Sequence, residues 1–265
     1  MTARPARGQG AAQRRPEEEA RLVRFYEEAY SRTPAQAQRY ARWRALGARG
    51  KCEHVIALCE RAGIAPASTL EVGCGDGALL SELRRRGFGG RLAGLEISAA
   101  AVAIAGSRAE IDSVALFDGV HVPAADGEYE LGLLSHVLEH VPDPPALLAE
   151  VARACAAVVI EVPLEANVSA RRASRRAHSD EVGHLHRLDR AAARAIVREA
   201  GMRVAAELED PLPLATQMFF ADSVRARLAA RARWSVRTAL HRLAPALARR
   251  AFTVHWAAIC VQRDA

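Results

Sequence analysis

Short runs of apolar residues alternate along this chain with segments in which apolar residues recur every three or four positions. The short runs are predicted strands and the segments between them are predicted helices. Strands are predicted at 68–72, 92–97, 114–117, 129–135, 157–162 and 202–208. Helices are predicted in four of the gaps, at 78–86, 99–109, 145–155 and 190–200. Strands that alternate with helices form parallel β-α-β units, so we predict a doubly wound α/β sheet.

The rest of the chain is predicted to extend this sheet at both ends. Residues 1–19 are polar and lack apolar periodicity, which predicts a disordered arm. A further strand, 252–261, is separated from strand 202–208 by a long segment, so we predict an insertion between the last two strands. Residues 20–265 are then a single domain with four parts: N-terminal helices 20–66, a cofactor-binding core 67–209, a helical substrate cap 210–250 and the final strand 251–265.

The composition excludes several classes of protein. The chain has 265 residues, of which 50% are hydrophobic and 26% charged, so intrinsic disorder of the whole chain is excluded. Its apolar runs are too short for a membrane span, and the N-terminus lacks the apolar region of a secretory signal. Five cysteines without a CxxC pair indicate reduced thiols, and we expect a cytoplasmic protein.

The net charge of +6 is concentrated near the C-terminus. Residues 211–265 contain nine Arg against two Asp, which gives +7 (9 − 2), so the remainder of the chain is close to neutral. A basic charge confined to one segment is weak support for nucleic-acid binding, which we do not expect.

The segment Glu71-Val72-Gly73-Cys74-Gly75-Asp76-Gly77 joins a predicted strand to a predicted helix. A glycine turn at this point exposes backbone N–H groups at the carboxyl edge of the sheet, where ligands bind in such folds. The glycines allow positive φ angles and a close approach of the ligand to the backbone. With Glu96 at the end of the next strand, the pattern also fits a loose dinucleotide fingerprint.

Two carboxylates favour a different cofactor. Asp76 lies inside the loop and Glu71 ends the preceding strand, so a pyrophosphate there would meet like charges. A cofactor with a cationic end, such as S-adenosylmethionine (SAM), suits both carboxylates. The alternative is that Glu71 and Asp76 only cap the following helix.

Three further segments make the resemblance specific: 94–98 (GLEIS), 117–123 (FDGVHVP) and 135–144 (SHVLEHVPDP). With the glycine loop, the chain resembles the class I SAM-dependent methyltransferases, particularly those of ubiquinone and menaquinone biosynthesis, over about residues 50–210. The resemblance implies a Rossmann-like sheet of seven strands, mostly parallel, with the last strand antiparallel. The Gly-Gly turn usual before the fifth strand is replaced by Ala-Cys-Ala-Ala at 154–157, so the resemblance does not set the bounds of that strand.

The same resemblance implies a set of cofactor-binding residues. The acidic residue of the second motif, Glu96, would bind the ribose hydroxyls, and Asp118 would bind the adenine amine. Cys74 is expected to be a packing residue within the loop. The implied cofactor site comprises Glu71, Gly73, Cys74, Gly75, Asp76, Gly77, Glu96, Ile97, Asp118, Gly119, Ser135 and His136.

Four histidines are candidate bases for removing a proton from a methyl acceptor: His136, His140, His184 and His186. The resemblance puts His136 at the methyl end of the cofactor pocket. His140 could instead be a packing residue bonded to backbone. His184 and His186 share a side if the segment is extended, which is compatible with a base or with half of a metal site. No further Cys or His lies at metal-ligand spacing, so we expect no metal.

The acceptor-binding residues are expected beyond the fifth strand. Glu165 and Asn167 follow that strand and are predicted to contact the acceptor, although a role in a turn is equally compatible with them. Phe219 belongs to an apolar segment that is predicted to cover a largely non-polar acceptor. Asp189 is predicted to cap the helix that follows it.

Within the insertion, apolar residues recur every four positions from Val224 to Leu240, and arginines occupy the other side. A surface helix with a solvated Arg face is one interpretation. Peripheral contact of the Arg-rich helix 223–244 with an anionic membrane is a second, and nucleic-acid binding is the least favoured because aromatic residues are scarce there.

These observations predict a SAM-dependent methyltransferase that methylates a small molecule at a hydroxyl of a secondary-metabolite, quinone-like, lipid-like or sugar acceptor. Two alternatives remain open at this stage: an NAD(P)-dependent oxidoreductase on a similar sheet, and a non-catalytic SAM-binding module that regulates a partner. The sequence does not predict the oligomeric state.

Overall fold

The computed structural model describes residues 22–28, 30, 33–173, 177 and 183–263. The predicted disordered arm at 1–19 lies outside the described residues. Residues 22–28 are helical. Residues 34–62 and most of the predicted cap at 210–250 are helical as well.

The described strands form one seven-stranded sheet of order β3-β2-β1-β4-β5-β7-β6. Neighbouring strands from β3 to β5 pair in parallel, and β7 pairs antiparallel with both β5 and β6. The predicted Rossmann-like sheet and its antiparallel last strand are confirmed. The strands are β1 Ser68–Val72, β2 Arg91–Glu96, β3 Ser113–Leu116, β4 Tyr129–Ser135, β5 Cys155–Leu164, β6 Met202–Asp210 and β7 Val254–Gln262.

Helices cover both faces of the sheet. They are α1 Pro34–Ala62, α2 Ala78–Arg85, α3 Ala99–Gly106, α4 Pro144–Ala154, α5 Arg190–Glu199, α6 Leu214–Met218, α7 Val224–Leu243 and α8 Pro245–Ala251. Side-chain caps fix where several of them begin. Asp189 Oδ1 accepts the N–H of Ala192 at 2.8 Å, as predicted, and Asp143 Oδ1 accepts that of Ala146 at 3.2 Å.

Strand β5 is longer than predicted because no turn separates it from α4. Helix α4 ends at Ala154, and Cys155 already has extended backbone angles (φ −130°, ψ 137°). The missing Gly-Gly turn is therefore replaced by a direct change from helix to strand.

Each face of the sheet carries its own apolar core. One core joins β4 and β5 to α4 and α5, and the other joins the opposite face of β5 and β7 to α1 and α2. On β5, Ala157 and Val159 alternate onto the α1 side, so Glu161 continues that series toward the carboxyl edge. A buried carboxylate thus lies where α1 meets the edge of the sheet.

All five cysteines lie among the described residues. Each is buried and is a free thiol. None of the described helices has the length and apolar content that a membrane crossing requires.

Candidate active site

The glycine loop between β1 and α2 has the conformation that its sequence predicts. Gly73, Gly75 and Gly77 have φ angles of 75°, 56° and 73°, which L side chains rarely adopt. A Cβ on Gly73 would lie 2.7 Å from Val137 Cγ2, directly after β4. The loop and the end of β4 are thus in close contact.

Glu96 closes the loop from the neighbouring strand. Its Oε2 accepts the N–H of Gly75 at 2.8 Å, and its Oε1 accepts the N–H groups of Ile97 at 2.8 Å and Ser98 at 3.1 Å. Burial raises the pKa of Glu96 even though these hydrogen bonds favour its ionised form. The carboxylate is therefore held rigidly at the carboxyl edge of β2.

Glu71 is a buried carboxylate of the crevice with one unsatisfied oxygen. It is 4% exposed, and its Oε2 has no hydrogen-bond partner among the described residues. Burial raises the pKa of Glu71 to about 8, an effect that Lys51 opposes and that Asp76 and Glu96 reinforce. A cation placed beside Glu71 would stabilise its ionised form.

We expect Glu71→Gln to raise the melting temperature of the ligand-free protein at pH 8.5 by at least about 2 °C. Because the pKa of Glu71 is raised on folding, the unfolded chain releases this proton first. The wild-type protein therefore loses stability as pH rises from about 4.5 to about 8. Thermal melts at pH 5 and 8.5 test this, with the exposed Glu60→Gln as a matched control. Equal melting temperatures of Glu71→Gln and wild type at both pH values would contradict it.

Asp76 differs from the sequence interpretation. Its Oδ2 lies 2.8 Å from Arg44 Nε and 3.4 Å from Arg108 Nη2, so its charge is balanced within the protein. Asp76 therefore does not supply the unpaired negative charge that the sequence predicted would repel a pyrophosphate.

The N-terminal helical residues form a wall of the crevice that the sequence analysis missed. A Cβ on Gly75 would collide with the hydroxyl of Tyr30, and Arg44 stacks on the Tyr30 ring with its Cζ 4.7 Å from the centroid. Glu27 Oε2 accepts the hydroxyl proton of Ser98 at 2.7 Å. Burial raises the pKa of Tyr26 and of Tyr30 far above the usual value. This part of the chain therefore covers the glycine loop.

A cluster of histidines and carboxylates lies beside the loop. His136 follows β4 with a φ of 59°, an uncommon angle for a residue with a side chain. Its Nδ1 lies 3.1 Å from Glu139 Oε1, and its Nε2 lies 3.4 Å from Glu161 Oε1 and 3.2 Å from His255 Nδ1. Although burial and Lys51 oppose protonation, the hydrogen bonds to Glu139 and Glu161 raise the pKa of His136.

Glu161 is the centre of this cluster. Its Oε2 lies 3.0 Å from His54 Nδ1, and its Oε1 lies 3.3 Å from His255 Nδ1. His54 Nε2 lies 3.5 Å from Asp210 Oδ2. Burial opposes ionisation, but the neighbouring histidines hold the pKa of Glu161 well below its usual range.

Two more histidines lie on the other side of Glu139. His184 Nδ1 is 2.8 Å from Glu165 Oε2, and His140 Nδ1 is 3.1 Å from the carbonyl oxygen of Gly183. The rings of His140 and His184 meet edge-on with centroids 4.7 Å apart. Ligand atoms of Glu139, His140 and His184 lie within 4.8 Å of one another, as do those of His136, Glu161 and His255.

One cavity of about 1720 Å³ joins the glycine loop to both groups of histidines. Its floor is the carboxyl edge of the sheet, and its far wall is the cap, including Phe220, Val236 and Leu247. Single ligand sites usually enclose about 300–1,000 Å³, so this cavity has room for two ligands.

Residues 38–207 match the sequence model of a protein family that is described as a methyltransferase domain. The chain belongs to this family. The matched region contains the glycine loop, Glu96 and the segment after β4, and it ends before the cap at 210–250.

Curated relatives match the methyltransferase domain over a shorter region. A ubiquinone biosynthesis O-methyltransferase from Acinetobacter baylyi is 31% identical over 103 residues, which is 37% of this chain and 41% of that protein. One of the same name from Sodalis glossinidius is 34% identical over 108 residues, 38% of this chain and 41% of that protein. The matched region thus spans about two fifths of the relatives' length.

Solved structures share the fold at low sequence identity. Geranyl diphosphate C-methyltransferase from Streptomyces coelicolor A3(2) has a TM-score of 0.60 and 16% identity, and the match covers 81% of this chain and 77% of that one. Phosphoethanolamine N-methyltransferase 2 from Haemonchus contortus has a TM-score of 0.55 and 14% identity, over 79% and 52% of the two chains. The cyclase SpnF has a TM-score of 0.54 and 15% identity, over 79% and 80%. These likenesses show the fold alone.

The cofactor residues predicted for the methyltransferase domain line the cavity, with one exception. Gly77 precedes α2, and a Cβ there would collide with Ile111, so Gly77 serves the turn and its packing. Asp118 lines the cavity while its Oδ1 accepts the N–H groups of Val120 and His121 at 2.7 Å each. Cys74 is 5% exposed, as a packing residue should be.

The predicted bases and acceptor residues divide into two groups. His136, His140, His184 and Glu165 line the cavity, and His186, Asn167 and Phe219 are not among its lining residues.

The excluded residues have other partners. His186 Nε2 lies 2.9 Å from the carbonyl oxygen of Val141. Asn167 bonds through its amide nitrogen to Leu164 O at 2.8 Å and through Oδ1 to Ser169 and Ala170, so it holds a turn. Phe219 packs against Trp43 with ring centroids 5.2 Å apart, and its neighbour Phe220 faces the cavity instead.

Proposed function

We propose that this methyltransferase domain binds SAM in the crevice beside the glycine loop and transfers its methyl group to a hydroxyl oxygen of a small acceptor. The single observation that carries the proposal is the buried Glu71 oxygen without a partner among the described residues, close to Glu96. A buried carboxylate oxygen without a donor is costly, and a cationic ligand would remove that cost.

The residues around the loop fit such a cofactor. Glu71 would bind its cationic amino-acid end, Glu96 its ribose hydroxyls and Asp118 its adenine amine. When bound, SAM supplies a methyl group on a positively charged sulfur, so the chemical activation comes from the cofactor. The protein contributes alignment of the acceptor, which can supply roughly 7–11 kcal/mol of rate enhancement.

We infer that His184 accepts the acceptor's proton. The 2.8 Å contact to Glu165 places a proton on Nδ1, so in the neutral ring Nε2 carries the lone pair, as in the histidine of a hydrolase triad. His184 lines the cavity and is 11% exposed, so it is largely shielded from bulk water. His184 Nε2 would receive the proton of the acceptor hydroxyl as that oxygen takes the methyl group, and the electron pair of the broken carbon–sulfur bond would stay on the sulfur of the cofactor.

The acceptor is proposed to be largely apolar and related to quinone precursors. Phe220, Val236 and Leu247 line the cap wall, and the curated relatives are named for ubiquinone biosynthesis. The remaining volume, after a cofactor is bound, suits a ring with an apolar substituent.

The rim of the cavity supports peripheral contact with an anionic membrane, from which a lipid-like acceptor could enter. Val168, Phe220, Val236 and Leu247 are each between 50% and 63% exposed although they line the cavity. Helix α7, beside this rim, contains six Arg (225, 227, 231, 233, 237 and 242) and no acidic residue. A basic helix beside exposed apolar residues matches the surface of an anionic bilayer. Because all five cysteines are free thiols, we propose a cytoplasmic location.

We expect the protein to sediment with vesicles of phosphatidylglycerol and phosphatidylcholine but not with vesicles of phosphatidylcholine alone. Val236→Glu would reduce the bound fraction severalfold, because it puts a carboxylate into the contact. Ile104→Glu, an exposed apolar residue of α3, is the matched control. Equal binding to both vesicle types, or equal loss in the two variants, would contradict the proposed contact.

Calorimetry and label transfer separate this function from its two alternatives. We expect SAM and S-adenosylhomocysteine to bind the protein, whereas NAD and NADP would not bind. Transfer of isotope from methyl-labelled SAM to an acceptor in fractionated extract would support an enzyme. Binding of SAM without transfer to any fraction would favour the non-catalytic module, and binding of NAD(P) alone would favour the oxidoreductase.

A further inference from the structure

Three ligand atoms from three strand ends form a nearly equilateral triangle in the cavity wall. His136 Nε2, Glu161 Oε1 and His255 Nδ1 are separated by 3.2, 3.3 and 3.4 Å. Their residues come from the ends of β4 and β5 and the start of β7, and all three line the cavity.

These separations match one face of a metal tetrahedron. Zinc bonds of about 2.0–2.1 Å to nitrogen and oxygen, at tetrahedral angles, put neighbouring ligand atoms about 3.3–3.4 Å apart. Two imidazoles and one carboxylate, with a fourth position open to solvent or substrate, are also one of the donor sets of catalytic zinc sites.

Hydrogen bonds cannot account for all three contacts. Each imidazole nitrogen has either one proton or one lone pair, and an ionised carboxylate only accepts. If both nitrogens carry protons, the His136–His255 contact sets two protons against each other. If only one nitrogen carries a proton, the other directs its lone pair at the Glu161 oxygen. A cation inside the triangle would satisfy all three lone pairs.

The surrounding residues orient these atoms as ligands. Glu139 Oε1, 3.1 Å from His136 Nδ1, accepts the proton of that nitrogen and leaves Nε2 free to coordinate. His54 Nδ1 binds the second oxygen of Glu161 at 3.0 Å, so only Oε1 faces the triangle. Asp210, 3.5 Å from His54 Nε2, extends this support. The negative charges of Glu139, Glu161 and Asp210 exceed the single positive charge of Lys51, which acts on His136.

We propose that His136, Glu161 and His255 bind one divalent transition-metal ion, Zn²⁺ in preference to Mg²⁺, at a site open to the acceptor region of the cavity. Imidazole ligands favour zinc and its neighbours in the transition series over magnesium, which prefers oxygen ligands. Local spacing along the sequence predicts no metal site, because these three residues lie far apart in the chain. The ion's role rests on the proposed function: it would hold and polarise the acceptor oxygen in the cavity that His184 also lines.

Metal binding is tested without SAM or acceptor, on full-length protein treated with a chelator and dialysed. We expect calorimetry with Zn²⁺ to give one site per chain, and Co²⁺ to produce the visible absorption of a four-coordinate ion. Glu161→Gln and His255→Gln would each weaken Zn²⁺ binding at least about 100-fold, and Glu139→Gln would weaken it about 10- to 100-fold. His241→Gln, a histidine of α7 outside the cavity lining, would bind as the wild type does.

The outcomes distinguish this site from its rivals. Absence of Zn²⁺ binding, equal affinity for Mg²⁺, or Zn²⁺ binding unchanged in both Glu161→Gln and His255→Gln would overturn the proposal. Unchanged binding in these variants together with its loss in His140→Gln would assign the ion to the Glu139–His140–His184 group. Circular dichroism confirms that each variant is folded. SAM binding is scored separately by calorimetry, so failure of the metal site and failure of the proposed function give different results.

Discussion

Replacing His184 by Gln is expected to lower kcat by roughly 10²- to 10⁴-fold while leaving the Kd for SAM unchanged, because the variant lacks the proton acceptor and keeps the cofactor crevice. The geometry behind this expectation is the 2.8 Å contact between His184 Nδ1 and Glu165 Oε2 at the cavity wall. Glu165→Gln should give a smaller loss of kcat, since it disturbs only the orientation of the ring. Label transfer from SAM at saturating acceptor measures kcat, and calorimetry measures Kd.

His241→Gln is the matched control for this experiment, because His241 lies in α7 and outside the cavity lining. A kcat for His184→Gln within about threefold of wild type would exclude His184 as the base. A parallel loss of SAM affinity would show instead that His184 supports the cofactor site.

Glu96→Gln is expected to weaken SAM binding by roughly 10- to 100-fold, the equivalent of a lost hydrogen bond to a charged group worth about 1.5–3 kcal/mol. The structure adds a consequence that the sequence did not indicate. Because Glu96 accepts the N–H groups of Gly75, Ile97 and Ser98, removing its carboxylate also leaves buried donors without a partner. Glu96→Ala should therefore lower the melting temperature as well as the affinity.

Calorimetry with SAM on folded Glu96→Gln, with the surface variant Glu110→Gln beside it, checks this prediction. An unchanged Kd for SAM in Glu96→Gln would refute the assignment of Glu96 to the ribose hydroxyls.

The sheet could be predicted from sequence because each strand has a local signal. Strands β1 and β4 have the bounds that their apolar runs predict, and the glycine loop follows β1 directly. The bounds of β5 were less accurate, since Cys155 continues from helix to strand without a turn residue to mark the change.

The grouping of residues around the glycine loop could largely be predicted for the same reason. Its residues come from short motifs that follow consecutive parallel strands, and parallel strands bring their carboxyl ends to one edge. The charge of Asp76 was misread because Arg44, its partner, lies 32 residues away on α1. Local sequence gives no sign of such a pairing.

The contact between Glu161 and His255 could not be predicted, because it depends on long-range register. His255 and Glu161 are 94 residues apart and meet because β7 pairs antiparallel with β5, with Pro163 opposite His255. The signal that could have found them is a single titratable residue inside each of two apolar strands. A carboxylate within a buried strand requires partners, and here its partners are the histidines.

The central claim is that this chain methylates an oxygen atom, and the fate of a ¹³C-labelled methyl group of SAM tests it most directly. The carbon chemical shift of the transferred methyl distinguishes oxygen, nitrogen and carbon attachment in the purified product. We predict an O-methyl product from a largely apolar phenolic or quinol-type acceptor, with one S-adenosylhomocysteine formed per methyl transferred. Label attached to nitrogen or carbon, or label that stays on SAM with every acceptor fraction while the cofactor is bound, would contradict the account.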